Sequence, residues 1–319
     1  MTKRFLITGG CGFIGSQMVN LCLKKGYKVF NVDKLTYASN KKTILDKNYY
    51  FKKIDICDYN KLSKVVERFK PNYIINFAAE THVDNSIKNP YPFYESNIFG
   101  VINILEIIKS INKQIKFIQI STDEVFGKLN IKESSFTERS KYNPQSPYSA
   151  SKAAADHIVK SYANTYNIKF NITYSSNNYG EGQHEEKFIP VIINNCLNNK
   201  YIPIYGKGQN VRNWVHVEDN CKAILKVAVR GSTNESYAIG SDFEVSNLKL
   251  AKLICKKIDK ILGLSNRHKL LKFVKDRAGH DFRYSINFNK IKKELNWKPK
   301  IKFDEGLNAL ILKYISKRK

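Results

Sequence analysis

Between a short strand-like stretch at 4–8 and an apolar-periodic segment reaching about residue 25 lies the run Gly9-Gly10-Cys11-Gly12-Phe13-Ile14-Gly15. Glycines at 9, 12 and 15 allow a tight strand-to-helix turn, and they let backbone amides at a helix N-terminus approach a pyrophosphate that side chains would block. The next strand-like stretch, 26–33, ends in Asp33, eighteen residues beyond Gly15. Strand, glycine turn, helix and strand within about 30 residues form a βαβ unit. Its strands run parallel, so both faces of the sheet need covering helices.

The alternation continues downstream. Strand patterns fall near 50–54, 73–78, 116–121 and 171–174, with helical patterns at 60–69, about 92–111 and 147–166. This predicts a doubly wound parallel-sheet Rossmann fold of the α/β class, with right-handed crossovers. After residue 178 the pattern loosens into a loop at 178–183, a helix at 189–198 and short strands around 202–205. The stretch 211–217 reads as a strand returning to the main sheet, followed by a helix at 218–230; further helical patterns lie at 248–262, 289–295 and 305–315. The expected organisation is a dinucleotide-binding domain at 1–178, rejoined by 211–238. A smaller C-terminal substrate-binding domain takes 179–210 and 239–319.

At 319 residues the chain can bury a large core without disulfides, and its six cysteines show neither CxxC pairing nor metal-ligand spacing. Dispersed histidines and cysteines predict no metal site. The N-terminus lacks a signal-peptide core and no apolar run reaches the roughly 20 residues of a membrane span, so a cytoplasmic protein with no membrane partner is expected. The formal charge of +26 is spread along the chain, and its densest run is the tail 316–319. Lysines on solvated faces explain this better than a nucleic-acid site, while a positive field would still speed the arrival of a phosphorylated ligand.

Two segments carry the chemistry: Ser121-Thr122-Asp123-Glu124 and Tyr148-Ser149-Ala150-Ser151-Lys152. Tyr148 and Lys152 share a helical face, so the ammonium is expected to lower the phenol pKa and make Tyr148 a base toward an alcohol. Thr122, Asp123 and Glu124 end a strand at the carboxyl edge of the sheet, where open α/β folds bind ligands. A hydroxyl and two carboxylates exceed what simple alcohol oxidation needs, which points to oxidation coupled to elimination. Asp33 can accept hydrogen bonds from ribose hydroxyls and favours NAD over NADP, with Lys34 softening that preference. Asp55 and Ile56 fall where an adenine would rest, although an aspartate there also suits an ordinary helix N-cap. Phe77, Ala78 and Ala79 supply small groups where a cofactor crosses the sheet edge. Arg212 and Arg277 are cationic forks suited to a diphosphate.

These segments resemble the extended short-chain dehydrogenase/reductase family, and within it the nucleoside-diphosphate-glucose 4,6-dehydratases. The match runs nearly end to end through TGGCGFIGS (8–16), VDKLTYASN (32–40), AAETHVDNSI (78–87), STDEVFG (121–127), PYSASKAAAD (147–156), SNNYG (176–180), EKFIP (186–190), PIYGKGQNVRNW (203–214), DRAGHD (276–281) and NWKP (296–299). The discriminating piece is Thr122-Asp123-Glu124, because related epimerases share the glycines and the Tyr-Lys pair but lack that acid–base pair. The resemblance implies an NAD-dependent lyase acting on dTDP-glucose or UDP-glucose and forming the 4-keto-6-deoxy sugar, in deoxysugar synthesis of the rhamnose type. In that scheme Tyr148 takes the O4 proton during C4 oxidation, Glu124 removes the C5 proton, and Asp123 protonates the departing C6 hydroxyl. Thr122 bonds the O4 region, and Lys152 tunes Tyr148 and binds the nicotinamide ribose.

By the same resemblance Cys11, Phe13, Ile14, Lys34, Thr36, Thr81, Ser96 and Asn178 join the glycines around NAD. Thr81, Asp84, Asn177, Lys187, Phe188, Pro203, Tyr205, Arg212, Asn247, Arg277 and His280 surround the nucleotide sugar. A homodimer is implied, joined as a four-helix bundle by the helices near 92–111 and 147–166. Some positions depart from the bacterial dTDP pattern: Asn85, Phe126, Glu181 and Ala278 replace its usual residues, and THVDNS resembles the plant UDP-glucose enzymes. A nucleotide-sugar 4-epimerase is the alternative enzymatic reading, and a non-catalytic NAD- or nucleic-acid-binding protein is the alternative from another class.

Overall fold

A computed structural model describes residues 2–40 and 43–318. Met1 and Lys319, the ends of the segments read above, lie outside the described residues. Among the described residues the twelve strands are β1 Arg4–Thr8, β2 Lys28–Asp33, β3 Tyr49–Lys53, β4 Tyr73–Asn76, β5 Lys116–Thr122, β6 Phe170–Ser175, β7 Asn177–Tyr179, β8 Ile202–Tyr205, β9 Val211–His216, β10 Glu235–Ile239, β11 Glu244–Ser246 and β12 Leu271–Val274. Seven form one sheet in the order β10-β6-β5-β4-β1-β2-β3, and every neighbouring pair is parallel. This is the doubly wound Rossmann arrangement. Its order reverses between β1 and β4, which opens a crevice at the carboxyl ends of those strands.

The central strands are continuous apolar runs because both faces are covered. Phe5, Leu6, Ile7, Ile74, Ile75, Phe117 and Ile118 are fully buried. Each such side chain contributes roughly 1.5–3 kcal/mol of transfer free energy. One face packs under the Tyr59–Phe69, Gly100–Ile111 and Pro147–Tyr166 helices, and the other under Phe13–Lys24 and Val217–Arg230. A third core, built on Tyr179, Trp214, Ile254 and Leu307, serves the C-terminal region and its two small sheets.

Two local expectations are corrected. The stretch 211–217 does not rejoin the main sheet: β9 pairs with β7 and β11, while β10 is the seventh strand of the large sheet. The side chains explain the exchange. Trp214 packs edge-on to Tyr179 in the third core, and Arg212 and Asn213 donate to loop carbonyls. Tyr237, Ala238 and Ile239 of β10 are apolar and fully buried, as a parallel strand requires.

The helix expected at 92–111 is interrupted by a π-turn at Glu95–Phe99. The wider turn brings Asn97 inside, where it bonds the backbone of Glu80 and the hydroxyl of Ser151. Gly100 follows it because a Cβ there would lie 2.4 Å from Ile56 Cδ1.

Candidate active site

A cavity of about 340 Å³ occupies the crevice at the β1–β4 reversal. At one end stands the glycine turn. Gly9 has φ +68°, and a Cβ there would lie 2.5 Å from the backbone nitrogen of Ala78; a Cβ on Gly15 would lie 2.2 Å from the carbonyl oxygen of Gly9. The Phe13–Lys24 helix starts with no side chain capping Gly12 and no acid in its first turn. An uncapped helix N-terminus at a cavity wall suits an anion.

Asp33 closes the second strand beside this turn. Its Oδ2 accepts the Cys11 N–H at 2.9 Å, and its Oδ1 accepts Leu35 N–H at 2.8 Å and the Ser39 hydroxyl at 3.1 Å. The carboxylate is therefore fixed before any ligand arrives. Lys34 Nζ lies 3.2 Å from Glu80 Oε1 and 3.9 Å from Asp55 Oδ2, and it donates to Ser96 Oγ at 3.0 Å. Asp55 is not the helix cap. Asp58 takes that place by accepting Lys61 N–H, while Asp55 bonds Cys57 N–H and faces the cavity.

Thr36, Ile56, Phe77, Ala78, Ala79 and Thr81 continue the wall toward Asn177 and Asn178. Ser176 Oγ, Asn178 Oδ1 and Gln183 Oε1 are buried on that wall without a hydrogen-bond partner. A backbone cradle with no room for Cβ atoms, an uncapped helix end and orphaned polar atoms together fit a dinucleotide.

The other end of the cavity is ionisable. After β5 the chain turns through Asp123–Phe126, with Thr122 capping the turn by accepting Glu124 N–H at 3.3 Å. The Thr122 hydroxyl donates to Asp123 Oδ1 at 3.3 Å, whereas Asp123 Oδ2 is buried with no partner. Burial, and then the neighbouring Glu124, push the Asp123 carboxyl up to about 8, against smaller opposition from Arg212. Asp123 thus holds a proton near neutrality. Burial also raises Glu124, opposed by the cations of Arg212 and Arg277.

Tyr148 and Lys152 project from the first turns of the Pro147–Tyr166 helix. That helix opens with a reciprocal Ser146–Ser149 cap, with Pro147 at its first position. Tyr148 N–H donates to Ser86 Oγ at 3.3 Å, and its ring meets Phe93 edge-on. The expectation that Lys152 lowers the phenol is corrected. Burial, Glu124 and Asp123 raise Tyr148, opposed by the Thr122 hydroxyl, and burial pushes Lys152 itself down to about 8. The charge that supports Lys152 is Asp156, one turn further along.

The cations expected around a diphosphate are present but already engaged. Arg277 pairs with Asp84, Nε lying 2.6 Å from Oδ1 and Nη2 3.1 Å from Oδ2, and its guanidinium lies 5.3 Å over the Tyr205 ring. Tyr205 donates to the same Asp84 at 3.4 Å, and His280 bonds Asp276 at 2.7 Å. Arg212 is buried over the Tyr284 ring and donates to the carbonyls of Val211 and Asp281. Lys187 lines the cavity and donates to Thr81 O at 3.2 Å. Phe188 packs against the third core, Pro203 sits in the β8–β12 pair, and Asn247 N–H bonds Asn210 O; these three do not line the cavity, nor do Asp84, Tyr205, Arg212, Arg277 and His280.

Residues that the sequence reading missed include Glu80, Ser176, Gln183 and Glu186 on the wall, and Asp156 beneath it. For Asp156 a signal existed, since it continues the four-residue spacing of Tyr148 and Lys152.

Comparison with known proteins agrees with this geometry. The profile of the family described as GDP-mannose 4,6 dehydratase matches residues 6–310. A dTDP-glucose 4,6-dehydratase of Haemophilus influenzae is 42% identical, covering 97% of both chains. The crystal structure of a dTDP-glucose 4,6-dehydratase from Streptomyces venezuelae with NAD and TDP bound superposes with a TM-score of 0.92 at 37% identity, over 99% of this chain and 98% of that one. A UDP-glucose 4-epimerase of Thermotoga maritima shares the fold at a TM-score of 0.89 and 27% identity, covering 99% of this chain and all of its own. Fold alone therefore leaves dehydratase and epimerase together. On a match of this length and identity, the chain belongs to the GDP-mannose 4,6 dehydratase family of extended short-chain dehydrogenase/reductases.

Proposed function

We propose that the protein is an NAD-dependent dTDP-glucose 4,6-dehydratase, a hydro-lyase that yields the 4-keto-6-deoxy sugar. The observation that carries this reading is Asp123: a buried carboxyl with one oxygen unpartnered, which keeps its proton near neutral pH, beside a second carboxyl and one helix away from a Tyr-Lys pair. An epimerase needs the tyrosine and the cofactor but has no task for that acid.

Gly9, Gly12 and Gly15 hold the cofactor diphosphate on backbone amides, Asp33 meets the adenosine ribose, and Asp55 and Ile56 border the adenine. A bound NAD would supply the reversible hydride chemistry needed for oxidation at C4 and reduction at C6. Tyr148 accepts the O4 proton while Thr122 holds O4, and Lys152, one turn along the same helix face, would hold the nicotinamide ribose. Once C4 is a ketone the C5 proton is acidic, and Glu124 removes it. Asp123 delivers its proton to the C6 hydroxyl, which leaves as water. Glu124 exchanges that proton with solvent and then returns one to C5. Arg212, Arg277 and Lys187 hold the nucleotide diphosphate, which requires Arg277 to exchange Asp84 for phosphate oxygens.

The exposed Phe99 and Ile111, at 60% and 38%, support dimerisation through the helix at 92–111, with the helix at 147–166 beside it. Purified protein offered dTDP-glucose and UDP-glucose in parallel should convert the former to a dehydrated ketone. A galactose-configured product of unchanged mass would replace this reading with epimerisation.

A further inference from the structure

Beneath the Tyr-Lys pair lies a polar network that the reaction scheme above leaves unused. Asp156 is fully buried, one turn beyond Lys152 on the same face of the Pro147–Tyr166 helix. Its Oδ2 accepts the Ser121 hydroxyl at 2.6 Å and the Tyr142 phenol at 3.4 Å, while its Oδ1 is buried without any hydrogen-bond partner. Ser121 immediately precedes Thr122, Asp123 and Glu124, so one carboxylate ties the helix carrying the base to the strand end carrying the acids.

A buried carboxylate oxygen left without a donor is a poor structural glue, because stripping its water costs more than a single hydrogen bond returns. Its retention needs a facing charge, and Lys152 supplies one. The other groups that face Asp156 are Lys160 on its own helix, Tyr142 on the preceding loop and Tyr174 on β6. Lys160 donates to the Tyr142 hydroxyl at 3.2 Å, and the Tyr142 and Tyr174 hydroxyls lie 2.6 Å apart. The His157 ring packs on Tyr142, and Glu138 faces Tyr174. Among these, no group but Asp156 offers negative charge to the buried ammonium of Lys152.

Resting on the proposed dehydratase reading, we propose that Asp156 is a positioning residue for catalysis, whose anchored carboxylate keeps Lys152 charged and in register with the Asp123–Glu124 pair. Without it, burial alone acts on Lys152, and the ammonium one helical turn from Tyr148 is lost at lower pH. The carboxylate itself sits near 6, raised by burial and lowered by Lys152, Ser121, Lys160 and Tyr142. The network therefore works between roughly pH 6 and 8.

The test compares pH profiles of kcat and KM for the holoenzyme and for Asp156→Asn, Asp156→Glu and Tyr142→Phe, with dTDP-glucose as substrate. Asp156→Asn should cut kcat about tenfold at pH 8 and move the alkaline limb down by about one pH unit, with KM changed less than threefold. Asp156→Glu, which restores the charge, should restore the position of that limb. Tyr142→Phe, which keeps the charge and removes one hydrogen bond, should lift only the acid limb, and it carries the test if Asp156→Asn does not fold. Profiles that fall by one factor at every pH without moving would leave Asp156 a packing residue and overturn the proposal. A wild-type protein that dehydrates neither nucleotide-glucose would instead overturn the dehydratase reading.

Discussion

At the β1 end of the cavity the polar contacts come from main chain and from residues close in sequence, whereas at the β5 end they fall on buried ionisable side chains gathered from four separate segments. The first end is settled before a ligand arrives. Asp33 already holds two backbone N–H groups and a hydroxyl, and the glycines leave no space for a Cβ. The second end is unsettled: Asp123 keeps an orphaned oxygen, Tyr148 is raised by its acidic neighbours, and Arg277 is spoken for by Asp84. Binding a constant cofactor favours the rigid solution, and moving protons favours groups held away from their ordinary pKa values.

The strongest way to break this contrast is Tyr148→Phe. Turnover should fall by about 10³-fold while cofactor content is unchanged, since the loss sits wholly at the ionisable end. Measured turnover within tenfold of wild type would remove Tyr148 from the base role. A paired substitution, Asp123→Asn with Glu124→Gln, sharpens the point: dehydration should drop by at least about 10²-fold, yet absorbance of reduced nicotinamide should build up because oxidation at C4 remains possible. Loss of that absorbance as complete as in Tyr148→Phe would merge the two steps that are kept apart here.

At the rigid end, Gly9→Ala places a methyl group 2.5 Å from backbone at a positive φ. It should weaken cofactor binding or folding by about 1–3 kcal/mol, read as bound-cofactor content and thermal midpoint. Arg277→Ala should raise KM about tenfold with kcat nearly unchanged, the signature of uniform binding.

The smallest effect concerns stability. The Asp123 carboxyl is raised in the folded protein to about 8, so its favourable contribution is complete below the ordinary carboxylate pKa of 3.8 and is lost as pH rises through 8. Asp123→Asn removes that loss. The cofactor-free variant should be more stable than wild type at pH 8 and no more stable than it at pH 4, measured by denaturant titration. A gain that is equal at both pH values would show that the carboxyl is not held protonated.

The same contrast explains what the sequence disclosed. The glycine turn, Asp33, the Thr122-Asp123-Glu124 run and the Tyr148–Lys152 spacing are each contiguous or confined to one helix face, so local pattern was enough. The exchange of β9 for β10 was hidden because Glu235–Ile239 is only five residues long and Val211–His216 has an equal claim to strand pattern. Long-range pairings were out of reach. Arg277 meets Asp84 across 193 residues, and Asp156 meets Ser121 across 35. The direction of the Tyr148 shift was misjudged because helical spacing places Lys152 near the phenol but says nothing of burial, or of Glu124 and Asp123 facing it.

In the proposed reaction the acids at the end of β5 act on C5 and C6 while the sugar is held as a 4-ketone. Conversion of dTDP-glucose in deuterated water tests it directly, with product analysed by mass and by proton resonance at C5. A dehydrated keto sugar carrying one solvent deuteron at C5 is expected. Product without solvent label at C5, whether galactose-configured or dehydrated, would contradict it.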